Sequence, residues 1–176
     1  MRRKRIAGSI FFTVVLLALV ALRDPSVTDL FEASAPLEAD TYAVIKVVDG
    51  DTITIFKGDK NQSVRLIGID TPETVDPRRP VQCFGEAAAL EMHRLLDKKA
   101  VRIETDPSQD AYDTYGRLLA YVYVDDVFVN KHLIAEGFGH EYTYIRPYSY
   151  QAEFRAAEKA AQAAEKGLWA PGVCSN

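Results

Sequence analysis

Cysteine is scarce in this chain. The 176 residues hold two, Cys83 and Cys174. Two are too few for a disulfide framework, and without C-x-x-C spacing they form no structural zinc site. The three histidines, His93, His132 and His140, share no metal-ligand spacing and read as surface or boundary residues. An excess of base is also lacking: 21 Lys+Arg face 25 Asp+Glu, a formal net charge of −4. Residues 1–23 carry +5 and no acid, so the remainder carries −9. An acidic body excludes broad, charge-driven coating of DNA or RNA, which needs many cations on phosphates. It leaves room for an enzyme that grips one phosphate with a few arginines. With 48% hydrophobic and 26% charged residues, the chain is neither disordered nor collagen-like and fits one globular domain.

One long apolar run is present. Arg2, Arg3, Lys4 and Arg5 precede an uncharged stretch from Ile6 to Leu22. As a helix at ~1.5 Å per residue it spans about 25 Å, slightly short of a hydrocarbon core of about 30 Å. The basic flank stays cytoplasmic and the rest is exported. Cleavage of a signal peptide wants small residues, and Leu19-Val20-Ala21 suits that poorly. The reading is therefore a signal-anchor over 1–23, ahead of a cleaved signal or a buried core helix. Residues 24–40 read as a tether and 41–176 as the folded domain, outside the cytoplasm.

That domain reads as strands first and helices after. Thr41–Val48, Thr52–Phe56 and Ser63–Ile69 form a three-stranded meander around Asp49-Gly50 and Lys57–Asn61 turns. Glu73–Pro80 is a loop. A helix is predicted over Gly85–Asp97 with Ala88, Met92, Leu95 and Leu96 inward. Val101–Thr105 and Arg117–Val124 are further strands. Asn130 is placed as the cap of a short helix ending at Gly137. The last helix shows a stripe of Tyr150, Phe154, Ala157, Ala161, Ala164 and Leu168. Five strands with interspersed helices fit many α+β folds, a small barrel among them.

Three segments concentrate unusual polar residues: Val48-Asp49-Gly50-Asp51-Thr52, then Arg65 through Thr74, then Asp113-Thr114-Tyr115-Gly116-Arg117. Together, in this order, they resemble the staphylococcal (micrococcal, or thermonuclease) nuclease family. The similarity extends from about Tyr42 to Trp169. It implies an α+β fold, a five-stranded OB-fold barrel with three helices, here preceded by the membrane-anchor helix. It implies a calcium-dependent phosphodiesterase that cleaves DNA and RNA at the 5′ P–O bond and leaves 3′-phosphate ends. A monomer is expected.

Each residue type suits that chemistry. Phosphodiester hydrolysis gathers negative charge in its transition state, so cations are needed where the charge develops. Hard dications take oxygen ligands. Asp51 and Asp70 match the family's metal carboxylates, and the Thr71 carbonyl its neutral ligand. Arg65 and Arg117 match its phosphate arginines, since guanidinium is planar and bidentate toward phosphate. A salt bridge to Asp113 is the plainer reading of Arg117. Glu73 matches the carboxylate assigned as general base; an acid that only orients water and metal is the other reading. Tyr115 sits where the family has a tyrosine near the nucleotide. Tyr142 and Tyr144 resemble its tyrosine pair before a proline, one position early against Pro147, with core packing as the alternative. Arg78 and Arg79 match a basic loop that contacts substrate or is simply solvated.

Arg65 and Asp70 are five apart, and on a regular strand they face opposite ways. Both must reach one site, so an irregularity is expected between Leu66 and Asp70, at Gly68. Export places the cysteines where disulfides persist. A Cys83–Cys174 bond would pin the C-terminal tail beside the loop at the site; two free thiols are the alternative. A non-catalytic binding module is the competing function. Such a scaffold is expected to have lost some of Asp51, Asp70, Glu73, Arg65 and Arg117, and all five are here.

Overall fold

A computed structural model describes residues 40–78 and 80–174. The anchor predicted over 1–23, the tether up to residue 39, and Arg79 lie outside the described residues. Among the described residues no helix is long and apolar enough to cross a membrane.

Strands β1 (Thr41–Val47), β2 (Thr52–Lys57) and β3 (Lys60–Leu66) form the antiparallel meander. Ile53, Ile55, Val64 and Leu66 point into one interior. The chain then crosses β4 (Ile69–Asp70) to β5 (Ala100–Glu104), which pairs with β1. Strand β6 (Leu118–Val124) pairs with β5 and lies parallel to β3, with Val64 opposite Leu118 and Leu66 opposite Ala120. That parallel contact closes β1, β2, β3, β5 and β6 into a five-stranded barrel and removes the sheet edges. β7 (Val127–Phe128) extends β6 as a short hairpin, and β8 (His140–Glu141) pairs with β4.

Three helices cover the barrel: α1 (Gly85–Leu96), α2 (Val129–Ala135) and α3 (Gln151–Ala163). α1 buries Ala88, Met92, Leu95 and Leu96, the stripe read from the sequence. α3 is shorter than its stripe. It ends at Ala163, and Leu168 falls in a separate 3-10 turn, Gly167–Trp169. Glu165 takes a left-handed conformation there, φ 51°, and Leu168 N–H bonds the Gly137 carbonyl at 2.9 Å. Packing against residue 137 thus overrides the helical period.

Asn130 is not a cap. It lies inside α2, fully buried, and the N-cap position falls on Phe128. Its Oδ1 accepts from Val122 N–H at 2.9 Å and its Nδ2 donates to the Ile67 carbonyl at 2.9 Å. It satisfies backbone groups that the barrel leaves unpaired, which a buried apolar side chain could not do.

The strand predicted across 63–69 breaks where geometry required it. β3 ends at Leu66, Gly68 adopts φ 79°, and β4 resumes at Ile69. A Cβ on Gly68 would lie 2.6 Å from the Tyr148 ring and 2.8 Å from Phe154. Only glycine fits both the left-handed backbone and the space.

Candidate active site

The site forms where β2 begins and β3 ends. Leu66 N–H donates to the Asp51 carbonyl at 2.9 Å, and Thr52 pairs with Arg65 across the ladder. This register sets Asp51 beside Arg65, and the turn at Gly68 returns Asp70 to the same place. Arg65 Nη1 lies 2.7 Å from Asp51 Oδ1, and Nη2 donates to Asp70 Oδ1 at 2.9 Å. Arg65 also donates to the Ile69 carbonyl at 3.0 Å. One guanidinium therefore joins two carboxylates.

Asp51 is buried and held on all sides. Its Oδ2 accepts from Thr71 N–H at 2.8 Å and Thr71 Oγ1 at 3.0 Å. Its Oδ1 accepts from Thr52 Oγ1 at 3.1 Å, and its own N–H donates to Asp49 Oδ1 at 3.0 Å. Burial and then the Asp51 charge push the Asp49 carboxyl up to about 6. Burial also raises Asp70, against the pull of Arg65. Three carboxylates, those of Asp49, Asp51 and Asp70, thus lie around the one guanidinium of Arg65, and burial is the first cause of both shifts.

Such a donor set is all oxygen and suits a hard dication. Asp51 and Asp70, joined through Arg65, are the carboxylates that could hold one. Among the described residues no group of three His, Cys, Asp or Glu side chains gathers to hold a metal.

Arg65 also reaches a cavity of about 300 Å³ whose wall includes Arg117, Tyr115, Tyr142 and Tyr144. The three tyrosines are exposed, so Tyr142 and Tyr144 belong to the rim and not to the core. Arg117 lies 5.5 Å from the Tyr115 ring centre. Its Nε donates to Asp113 Oδ2 at 2.6 Å, and Asp113 Oδ1 accepts from the backbone N–H groups of Tyr115 and Arg117. The salt bridge and the cavity position coexist: Asp113 aims the guanidinium and shapes the turn.

Glu73 is placed differently. Among the described residues lining the cavity it is absent, as are Asp51, Asp70 and Thr71. Its Oε1 accepts from the N–H groups of Thr74, Val75 and Asp76, at 2.8, 2.7 and 3.2 Å. Its carboxylate thus closes its own loop. Gln82 braces that loop, its Oε1 accepting from Glu73 N–H and its N–H donating to the Glu73 carbonyl. The next residue, Cys83, is bonded to Cys174, with Cα atoms 5.7 Å apart. Arg78, exposed, pairs with Asp76 at 2.8 Å. The histidines pair with single acids, His93 with Asp97, His132 with Glu91 and His140 with Glu158.

Sequence reasoning missed the brace behind the cavity. Asp106 is buried and accepts from Tyr121 Oη, from Ser108 N–H and Oγ, and from Ser149 N–H and Oγ. It ties the loop carrying Tyr115 to the segment carrying Tyr142 and Tyr144. Burial opposes its charge, but the hydrogen bonds, that from Ser149 N–H foremost, outweigh it and hold the carboxyl well below the usual range. Nothing local in a Thr-Asp-Pro stretch marks this role.

Comparison with known proteins agrees with this geometry. Residues 63–171 match the family model described as staphylococcal nuclease homologue. A thermonuclease of Staphylococcus hyicus is 36% identical over 94% of this chain and 98% of its own length. A thermonuclease of Staphylococcus intermedius is 39% identical over 78% of this chain and 81% of its own. Endonuclease YncB of Bacillus subtilis is 38% identical over 70% of this chain and 59% of its own. With the family model over more than half its length and such relatives along nearly all of it, the chain belongs to the staphylococcal nuclease family.

Proposed function

We propose that this protein is a calcium-dependent phosphodiesterase that hydrolyses DNA and RNA at the 5′ P–O bond and leaves 3′-phosphate ends. The observation that carries the reading is the placement of Arg65. It touches Asp51 and Asp70 and also opens onto the cavity of Arg117. Oxygen donors suited to a dication and guanidinium groups suited to phosphate thus share one residue as their boundary. The names of the relatives, thermonuclease and endonuclease, support the same class.

Bound there, calcium would supply Lewis-acid polarisation of the phosphoryl group. The chain's own residues do the rest. Arg65 and Arg117 present forked donors to the phosphate oxygens, which gain charge as the water attacks. Asp113 keeps Arg117 aimed. Tyr115, Tyr142 and Tyr144 offer faces for the base without reading its identity. Glu73, through the oxygen that does not hold the loop, takes the proton of the attacking water.

The domain is further proposed to work outside the cytoplasm, held by the N-terminal segment. The basic flank, the apolar run and the Cys83–Cys174 bond support that placement. Membrane fractionation of the full chain checks it; a domain wholly in the cytosolic fraction overturns it.

Activity is tested on labelled DNA and RNA with calcium and with excess EGTA, followed by end analysis of the fragments. Cleavage in calcium only, giving ends that need a 3′-phosphatase before extension by polymerase, is the expected result. Asp51→Ala and Asp70→Ala should each remove most of it. Full cleavage in chelator removes the calcium mechanism.

A further inference from the structure

The cavity that holds Arg65 and Arg117 has a third arginine in its wall, Arg146. Each has a carboxylate partner, and exposure rises along the series. The Arg65 side chain is 15% exposed, Arg117 31% and Arg146 48%. The partners differ more sharply: Asp113 is 15% exposed, whereas Asp110, beside Arg146, is 72% exposed. An ion pair in that much water contributes little and exchanges readily. The Asp110–Arg146 contact, 2.6 Å long, is the one that an incoming anion displaces with least loss. A phosphodiester, with two free oxygens, matches the guanidinium fork as well as the carboxylate does.

Volume decides which phosphate this is. About 300 Å³ is at the small end of ligand sites and accommodates about one nucleotide unit. A longer strand must leave across the mouth. Tyr144 and Ile145, both exposed, stand there immediately before Arg146. The backbone holds this wall without help from the ion pair. Gln109 Nε2 donates to the Pro147 carbonyl at 2.9 Å and to the Arg146 carbonyl at 3.4 Å. Asp110 follows Gln109 directly, so acid and arginine stay adjacent even when their side chains part.

We infer that Arg146 binds the phosphate adjacent to the reacting one, and that Asp110 is the carboxylate this phosphate displaces. The inference rests on the phosphodiesterase reading and extends it from one phosphate to a second. It makes affinity depend on strand length, since a dinucleotide has one internal phosphate and none for Arg146. It also gives an acidic domain a local cation for the strand.

The test is binding of fluorescent thymidine di- and hexanucleotides in chelator, for the full chain and its Arg146→Gln, Arg146→Lys and Asp110→Asn variants, with kcat and KM measured in calcium alongside. Arg146→Gln should weaken the hexanucleotide about tenfold, and far more than the dinucleotide. The slope of log Kd against log salt should fall by about 0.7, the value for one phosphate contact on a single strand. Arg146→Lys should keep that slope while recovering only part of the affinity. Asp110→Asn should tighten the hexanucleotide by about twofold. Equal weakening of both lengths by Arg146→Gln, or an unchanged salt slope, overturns the inference. If the wild type cuts nothing in calcium, the phosphodiesterase reading falls, while the binding series still decides Arg146.

Discussion

Glu73 holds its loop, and the base role proposed for it makes a second demand on the same carboxylate. Three backbone N–H groups of its loop bond one carboxylate oxygen, and a general base needs an oxygen free for a proton. Glu73→Gln separates the tasks, because an amide oxygen still accepts from the loop but the side chain takes no proton. Its kcat should fall by about 10²–10⁴-fold with the melting temperature unchanged. Glu73→Ala should lose the same activity and also speed hydrogen exchange at residues 74–76. A Glu73→Gln variant with near-normal kcat would leave the residue as a loop brace alone. Arg65 admits a similar separation: Arg65→Lys keeps the charge and loses the fork that spans Asp51 and Asp70. A loss of about 10²–10³-fold in kcat is expected, read from initial rates on one oligonucleotide.

Two features of the loops set the geometry of the site. Gly68 turns the chain so that Arg65 and Asp70 meet. Gly68→Ala forces a Cβ into the Tyr148 and Phe154 rings on a left-handed backbone. A cost of about 2–4 kcal/mol in urea unfolding is expected. The need for this turn was legible from spacing alone, since five residues along a strand reverse the side. Asp106 was not legible. Its donors, Ser108, Tyr121 and Ser149, come from three separate stretches, and only the fold brings them together. The same holds for Asn130, whose partners are backbone groups. Because the folded protein holds Asp106 below its ordinary 3.8, the unfolded chain takes up the proton first as pH falls. Its contribution is complete above that value and is lost on acidification through the folded value. Asp106→Asn should therefore cost about 1.5–3 kcal/mol near neutral pH, and the gap to wild type should narrow from about pH 4 downward. Denaturant titrations at several pH values measure it; a gap that is constant with pH removes the charge from the account.

Across the whole molecule, the pattern of strands and one-sided helices made an α+β fold legible, the resemblance carried by the motifs singled out the five-stranded barrel among such folds, and the spacing of Arg65 and Asp70 foretold the turn that brings them together. Long-range pairings were not legible, as with Asp110 and Arg146 from separate loops. The disulfide acts at this scale. It joins positions 91 apart, and the chain-entropy treatment gives about 4–5 kcal/mol before any strain. Reduction, or Cys83→Ser with Cys174→Ser, should lower the melting temperature and leave a folded barrel, whose core holds neither cysteine. Alkylation without reductant should add no mass to the wild type.

The same bond also divides the chain's labour. The barrel strands end at Val124, the cavity's lining at Tyr148 and α3 at Ala163, so everything that forms the cavity precedes Cys174. The bond adds the brace on the Glu73 loop. A chain ended after Ala170 should hold an oligonucleotide about as well as the full protein and cut it more slowly, which separates grip from turnover.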